Sequence, residues 1–150
     1  MQRSITNQKS IKIYIYIIFF IIYESLSSIY LFLPPFFAVL FVLFVKVLDT
    51  KNIPNILLVS FCLVIFEIDK SYLLFSSIIY FLLIYKFIIP KLKQNFSCGF
   101  CIKMIYVLLA YVGFFLFSLI LAKVFLLPIP SINYYIVYYI IIEFFIVSLL

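Results

Sequence analysis

Three groups of residues in this 150-residue chain have types and spacings that could do chemistry. The first is Cys98-Gly-Phe-Cys101. A CxxC spacing can lower a thiol pKa in redox proteins, or supply half of a zinc site. Zinc would need two more Cys or His ligands, and the chain has no His and one other cysteine, Cys62, inside an apolar run. A quinone-linked disulfide generator would hold its CxxC on an oxidising face and relay through a second pair. The basic flanks here put Cys98 and Cys101 on the reducing side of a membrane instead. On spacing alone the pair reads as incidental.

The second group is Glu143, past the middle of YYIVYYIIIEFFIVSLL. An ionisable group within an apolar helix is costly and is a functional-site hypothesis by default. Its bland reading is a carboxyl hydrogen-bonded to a tyrosine such as Tyr138 or Tyr139. No second carboxylate lies at similar depth to make a relay. The third group is Glu67, Asp69 and Lys70, followed by Ser71, within FCLVIFEIDKSYLLFSSIIYFLLIY. As one span this stretch would bury three charges at about 2.5–3.5 kcal/mol each, against about 0.3–0.6 kcal/mol returned per Leu, Ile or Phe. The cheaper arrangement is a tight helical hairpin with Glu67, Asp69 and Lys70 at its surface tip. Glu67 and Asp69 are two apart, so on a helix they do not share a face. The chain has no Ser-His-Asp set, HExxH or phosphate loop. An enzyme is not expected, and neither is a cofactor or a metal.

The elements that position these groups follow from composition. The chain is 69% hydrophobic and 11% charged, with a mean hydropathy of +1.36. Soluble domains are about 45–50% apolar and about 25% charged. The expectation is a single all-α integral membrane domain over residues 1–150. The formal charge of +6 comes from Lys and Arg spread among the ends of apolar runs, which suits a membrane surface and not nucleic acid. The twenty Phe and thirteen Tyr read as packing and interface anchors, and there is no GxxxG.

The order of helices follows. An uncleaved first helix runs from Ile13 to about Tyr30, with Glu24 near its outer end. Pro34 and Pro35 open helix 2, which continues to Leu48, since proline is tolerated in a first helical turn. Helix 3 runs from Ile56 to about Phe66, or on through Asp69. Helix 4 runs from about Tyr72 to Ile89 and stops at Pro90. Helix 5 is Ile102 to about Leu127, Pro128, Pro130, Ser131 and Asn133 form a turn, and helix 6 is Tyr134 to Leu150. With a cytoplasmic N-terminus, Arg3, Lys9, Lys12, Lys46, Lys51, Lys86, Lys91, Lys93 and Lys103 lie inside, and Lys70 and Lys123 outside. That is the positive-inside pattern. Six spans with both termini cytoplasmic is the model; five is the alternative, because helices 1 to 3 are short.

This plan resembles the rod shape-determining protein MreD family of bacterial inner-membrane proteins. LPPFFAVLFVLFVKVL is similar to that family's proline-started second helix. ILLVSFCLVIFEIDKSYLLFSSIIYFLLIY is similar to a third helix closing on an acid, a Ser/Gly break, and a fourth helix with a small polar patch. Asp69 stands at the acidic position, Ser71 in the break, and Ser76-Ser77 in the patch. The break has no glycine here, and the chain lacks the tryptophan-proline and basic tail that close the family's last helix.

The resemblance implies a non-enzymatic scaffold of the cell-elongation complex in the bacterial inner membrane. Its partners would be the bilayer, MreC, and a class B penicillin-binding protein with its glycosyltransferase. It also implies a fold similar to the six-helix substrate-binding components of vitamin transporters. Partner-contact candidates are Pro34, Pro35, Glu67, Asp69, Lys70, Ser71 and Glu143. The alternative from another class is a transporter component that binds a small ligand in the bundle near Glu143.

Overall fold

The computed structural model describes residues 3–129 and 133–150, with side chains from residue 15 onward. The side chains of Arg3, Lys9 and Lys12, and the Pro130–Ser131 part of the expected last turn, lie outside that description. All regular structure among the described residues is helical: α1 Arg3–Ile29, α2 Phe37–Thr50, α3 Ile53–Asp69, α4 Ser76–Phe87 and α5 Ile89–Asn95. They are followed by α6 Gly99–Val124, a continuous helix, and α7 Tyr135–Leu149.

The six expected helices are present in order, with different boundaries. Pro34 and Pro35 do not start a helix. They lie buried in the loop before α2, and the capping residue is Phe36, in left-handed conformation at φ 52°. Helix 3 takes the longer option and ends on Asp69. Helix 4 begins at Ser76, four residues after Tyr72, because a left-handed Ser71 (φ 55°) and Phe75 (φ 67°) turn the backbone first. Pro90 is not a stop. It occupies the first turn of α5, where its missing N–H costs nothing.

α2 is the central element, packed against α3, α4, α6 and α7, while α1 lies along α3. Its residues Phe37, Ala38, Leu40, Phe41, Val42, Phe44 and Val45 are all buried, so it is apolar nearly all round, as a surrounded helix must be. Phe37 sits 4.7 Å from Phe66 of α3, 5.1 Å from Phe81 of α4 and 4.8 Å from Phe114 of α6. Phe41 meets Phe81 at 4.7 Å and Tyr106 at 5.7 Å. Aromatic pairs at such spacings contribute about 0.5–1.5 kcal/mol each beyond burial. The outward faces are also apolar, including Ile18, Phe19 and Ile22 on α1, Leu82 and Leu83 on α4, and Val137, Ile141 and Phe145 on α7. Among the described residues, α6 is the one helix long and apolar enough to cross a membrane; α2 and α4 have 14 and 12 residues.

One end of the bundle gathers basic groups. Lys93 on α5 bonds Asp49 at the end of α2 at 2.9 Å, and Tyr85 donates to the same carboxylate. That hydrogen bond from Lys93 is the main reason the Asp49 carboxyl titrates below its ordinary range. Lys46 and Lys103 donate to the Leu150 and Ser148 carbonyls. Asp69 and Lys70 lie at the far end of α3.

The middle of α6 carries a π-turn over Leu109–Gly113. A π-turn shifts the helical hydrogen bonds, and the Leu109 carbonyl receives the Tyr80 hydroxyl of α4 at 2.8 Å. Close approach is possible because Gly113 has no side chain: a Cβ there would overlap the Tyr80 hydroxyl. Gly113→Ala should therefore destabilise the purified protein by about 1–3 kcal/mol in thermal unfolding, the usual range for overpacking. Adding Tyr80→Phe should recover part of that loss, so that the two changes together cost less than their sum. Strict additivity would show that this contact does not set the packing.

Candidate functional site

Helices α2 and α4 both begin inside the bundle, where their first N–H groups have no helical acceptor. In each case a carboxylate from another helix fills the gap. Glu143 of α7 accepts from the Ala38 and Val39 amides at 2.7 and 3.3 Å through Oε2, and from the Tyr111 hydroxyl of α6 through Oε1. Glu67 of α3 accepts from the Phe75 amide at 2.6 Å through Oε2. Its Oε1 accepts from the Ser77 amide at 2.6 Å and from the Ser76 and Ser77 hydroxyls at 3.2 and 2.7 Å. Both carboxylates are fully buried. Each faces the positive end of a helix, where a negative charge is favoured. A left-handed phenylalanine, Phe36 or Phe75, immediately precedes each capped helix.

The backbone of the first break is satisfied in the same thorough way. Tyr23 of α1 donates to the Pro34 carbonyl at 2.7 Å and stacks on Phe36 at 4.2 Å. Ser27 donates to the Leu33 carbonyl and Tyr139 of α7 to the Leu31 carbonyl. In the second break the Tyr72 amide bonds the Glu67 carbonyl at 2.9 Å.

Glu67 is thus not at a surface tip with Asp69 and Lys70. Its place on α3 continues the buried stripe Val59, Cys62, Leu63, Phe66, which is helical spacing for one face. Asp69, two residues on, falls on the other side. Lys70 Nζ stands 3.2 Å from Asp69 Oδ2, an ion pair without hydrogen-bond alignment, the side chains 27% and 23% exposed. Glu143 does not pair with Tyr138 or Tyr139; its tyrosine is Tyr111. Of the seven partner-contact candidates, Pro34, Pro35, Glu67 and Glu143 point inward, while Asp69, Lys70 and Ser71 stay on the rim.

A third acid, Glu24 of α1, was not among those candidates. It is 1% exposed and neither of its oxygens has a hydrogen-bond partner among the described residues. The charged groups whose fields reach it are Lys70, Asp69 and Glu143. Its sequence signal is the spacing Phe20, Glu24, Ser27, which puts it on the inward face of α1.

A cleft of about 450 Å³ lies beside the hairpin tip, lined by Lys70, Ser71, Tyr72, Ser76, Ser118 and Leu121 among others. An apolar groove of about 260 Å³ separates α1 from α2 and α3 and contains Cys62. Glu143 lines neither. Chemically, the two capping carboxylates are committed acceptors, with their oxygens spent on backbone and hydroxyl donors. Searches of known protein families, curated proteins and solved structures find no match for this chain.

The caps and the orphan acid make opposite predictions. Hydrogen bonds to a charged group contribute about 1.5–3 kcal/mol each. Glu67→Leu, which strands the Phe75 and Ser77 amides, should destabilise by at least about 3 kcal/mol. Glu24→Leu should be neutral or stabilising, because a buried carboxyl without partners is exchanged for an apolar side chain. Asp69→Asn should cost less than about 1 kcal/mol, as for other partly exposed ion pairs. Chemical denaturation of the three variants in one detergent ranks them; equal losses at Glu24 and Glu67 would refute the capping role.

Proposed function

We propose that this chain is a multi-pass protein of the bacterial inner membrane that works as a non-enzymatic scaffold of the cell-elongation complex, in the manner of the MreD family. The observation that carries this reading is the α3–α4 break. A third helix closing on an acid, a Ser/Gly break, and a fourth helix with a small polar patch is the family plan. Here those parts form one physical unit. α3 closes on Asp69, Glu67 two residues earlier caps α4, Ser71 and Phe75 hold the left-handed backbone for which glycine is the easiest residue, and Ser76 and Ser77 supply the donors.

The bundle's exterior supports a bilayer setting. Apolar side chains cover the outward faces of the long helices, and Lys46, Lys93 and Lys103 collect at one end. Short α2 and α4 fit the rule that non-helical backbone at membrane depth is tolerated only where protein satisfies it. Ligand transport at Glu143 is the weaker reading, because the protein's own donors occupy both oxygens.

In this role the chain acts by lateral contact with MreC and with the class B penicillin-binding protein and its glycosyltransferase. Asp69, Lys70 and Ser71 are the rim residues available to such partners. Controlled depletion should round and swell the cells and disperse sidewall precursor incorporation. Asp69→Lys should reduce co-purification of the complex without lowering the amount of folded protein. Normal shape after depletion, in a cell with no second copy of the family, would overturn the proposal.

A further inference from the structure

The cleft of about 450 Å³ beside the hairpin tip falls in the range of small-ligand sites, about 300–1,000 Å³. The α3–α4 hairpin forms one side, and the last turns of α6 with the loop after it form the other. Left-handed residues shape both sides. Ser71, at φ 55°, lies in the wall itself, and Leu126, at φ 52°, immediately precedes Leu127 of the other side. Strained backbone of this kind persists where the surroundings over-determine it, and it gathers at ligand clamps.

The polar part of the wall is Lys70 and the hydroxyls of Ser71, Tyr72, Ser76 and Ser118. Two of these hydroxyls are spent, Ser76 on Glu67 and Ser118 on the Phe115 carbonyl. Lys70 Nζ stands 3.2 Å from Asp69 Oδ2 without hydrogen-bond alignment, so its three donors remain for a ligand. No carboxylate shares the wall. Of the chain's five acids, Glu67 and Glu143 cap helices and Glu24 is buried in α1. Asp49 is at the other end with Lys93, and Asp69 Oδ2 is buried beside Lys70. The one full charge on the cleft is therefore positive, with hydroxyls around it. That set recognises an oxyanion such as phosphate. The remaining wall is apolar, including Leu121, Leu127 and Ile129. A bare ion would leave these side chains uncovered, whereas an oxyanion carrying a hydrocarbon chain covers them.

We propose that this cleft is a phospholipid site, Lys70 and Ser71 holding the phosphodiester while Leu121, Leu127 and Ile129 line the first part of an acyl chain. The cleft lies at the end of α3, where a helix leaves the hydrocarbon for the headgroup layer, and its apolar half continues onto the exposed side chain of Ile129. The site depends on the bilayer setting proposed above and not on the elongation partners, so lipid binding and the cell-shape result can fail separately.

The test uses the full-length protein, purified in a non-ionic detergent and titrated with dihexanoyl phosphatidylglycerol below its micelle concentration. The lipid should raise the thermal midpoint saturably. Dihexanoylglycerol, which has the chains without the phosphate, and glycerophosphate, which has the phosphate without the chains, should each need at least about tenfold more for half the effect. Lys70→Gln should weaken lipid binding at least about tenfold, as for loss of a hydrogen bond to a charged group. Lys70→Arg should retain binding, which separates the charge from the packing of the side chain. Lys123→Gln, on the exposed side of α6 and outside the cleft, should leave binding unchanged. Glycerophosphate acting as strongly as the lipid would make the ligand a soluble anion and overturn the proposal. So would dihexanoylglycerol acting as strongly, equal losses at Lys70 and Lys123, or no saturable shift.

Discussion

Everything in this fold hangs on two helix ends that begin inside the protein. α2 and α4 start in the middle of the bundle and would each leave amides without acceptors there. An unpaired polar group in an apolar interior costs several kcal/mol. Glu143 and Glu67 remove that cost by reaching across from α7 and α3. The caps also fix topology. Glu143 ties the last helix to the start of the second, and Glu67 ties the third helix to the fourth. With α2 pinned at its first turn, the Phe37 and Phe41 rings meet Phe66, Phe81, Phe114 and Tyr106.

The strained residues are part of the same device. A bulky residue at positive φ is an outlier, costing about 1–2 kcal/mol. Phe36 and Phe75 both accept that conformation immediately before a capped helix. Such strain persists only where the surroundings over-determine it. At Phe36 they do so through the stacked Tyr23 ring and the donors gathered on the Leu31, Leu33 and Pro34 carbonyls. At Phe75 the Glu67 carboxylate grips the amide directly.

How much of this was legible in the sequence depends on the kind of signal. Long apolar runs and their polar punctuation locate six helices, and a charged interruption within an apolar run locates the α3–α4 hairpin. Depth was harder. Reading Glu67, Asp69 and Lys70 as one solvated tip treats neighbours in sequence as neighbours in environment. A two-residue step on a helix turns through about 200°, so Glu67 continues the Leu63–Phe66 stripe inward while Asp69 falls on the other side, half-buried at the rim. Glu24 follows the same logic on α1. The helical spacing was present in both cases and would have found them. No comparable signal marks Phe36 or Phe75, because nothing about phenylalanine announces a left-handed backbone. Nor does Pro34-Pro35 distinguish a first helical turn from the loop before it.

The lengths of α2 and α4 connect this internal device to the proposed role. At about 1.5 Å per residue, helices of 14 and 12 residues reach only about 21 and 18 Å. A bilayer's hydrocarbon is about 30 Å thick. If the basic end of the bundle lies at one surface, both helices must start within the apolar layer, where no water can cap them. Internal carboxylates then become obligatory, and they are unavailable for partners. On the proposed role, recognition uses what the caps leave outside. These are the Asp69–Lys70–Ser71 rim at one end and the apolar outer faces of α1, α4 and α7. On the proposed role, a protein that spends two of its three buried acids on its own helix ends offers its neighbours helix surfaces.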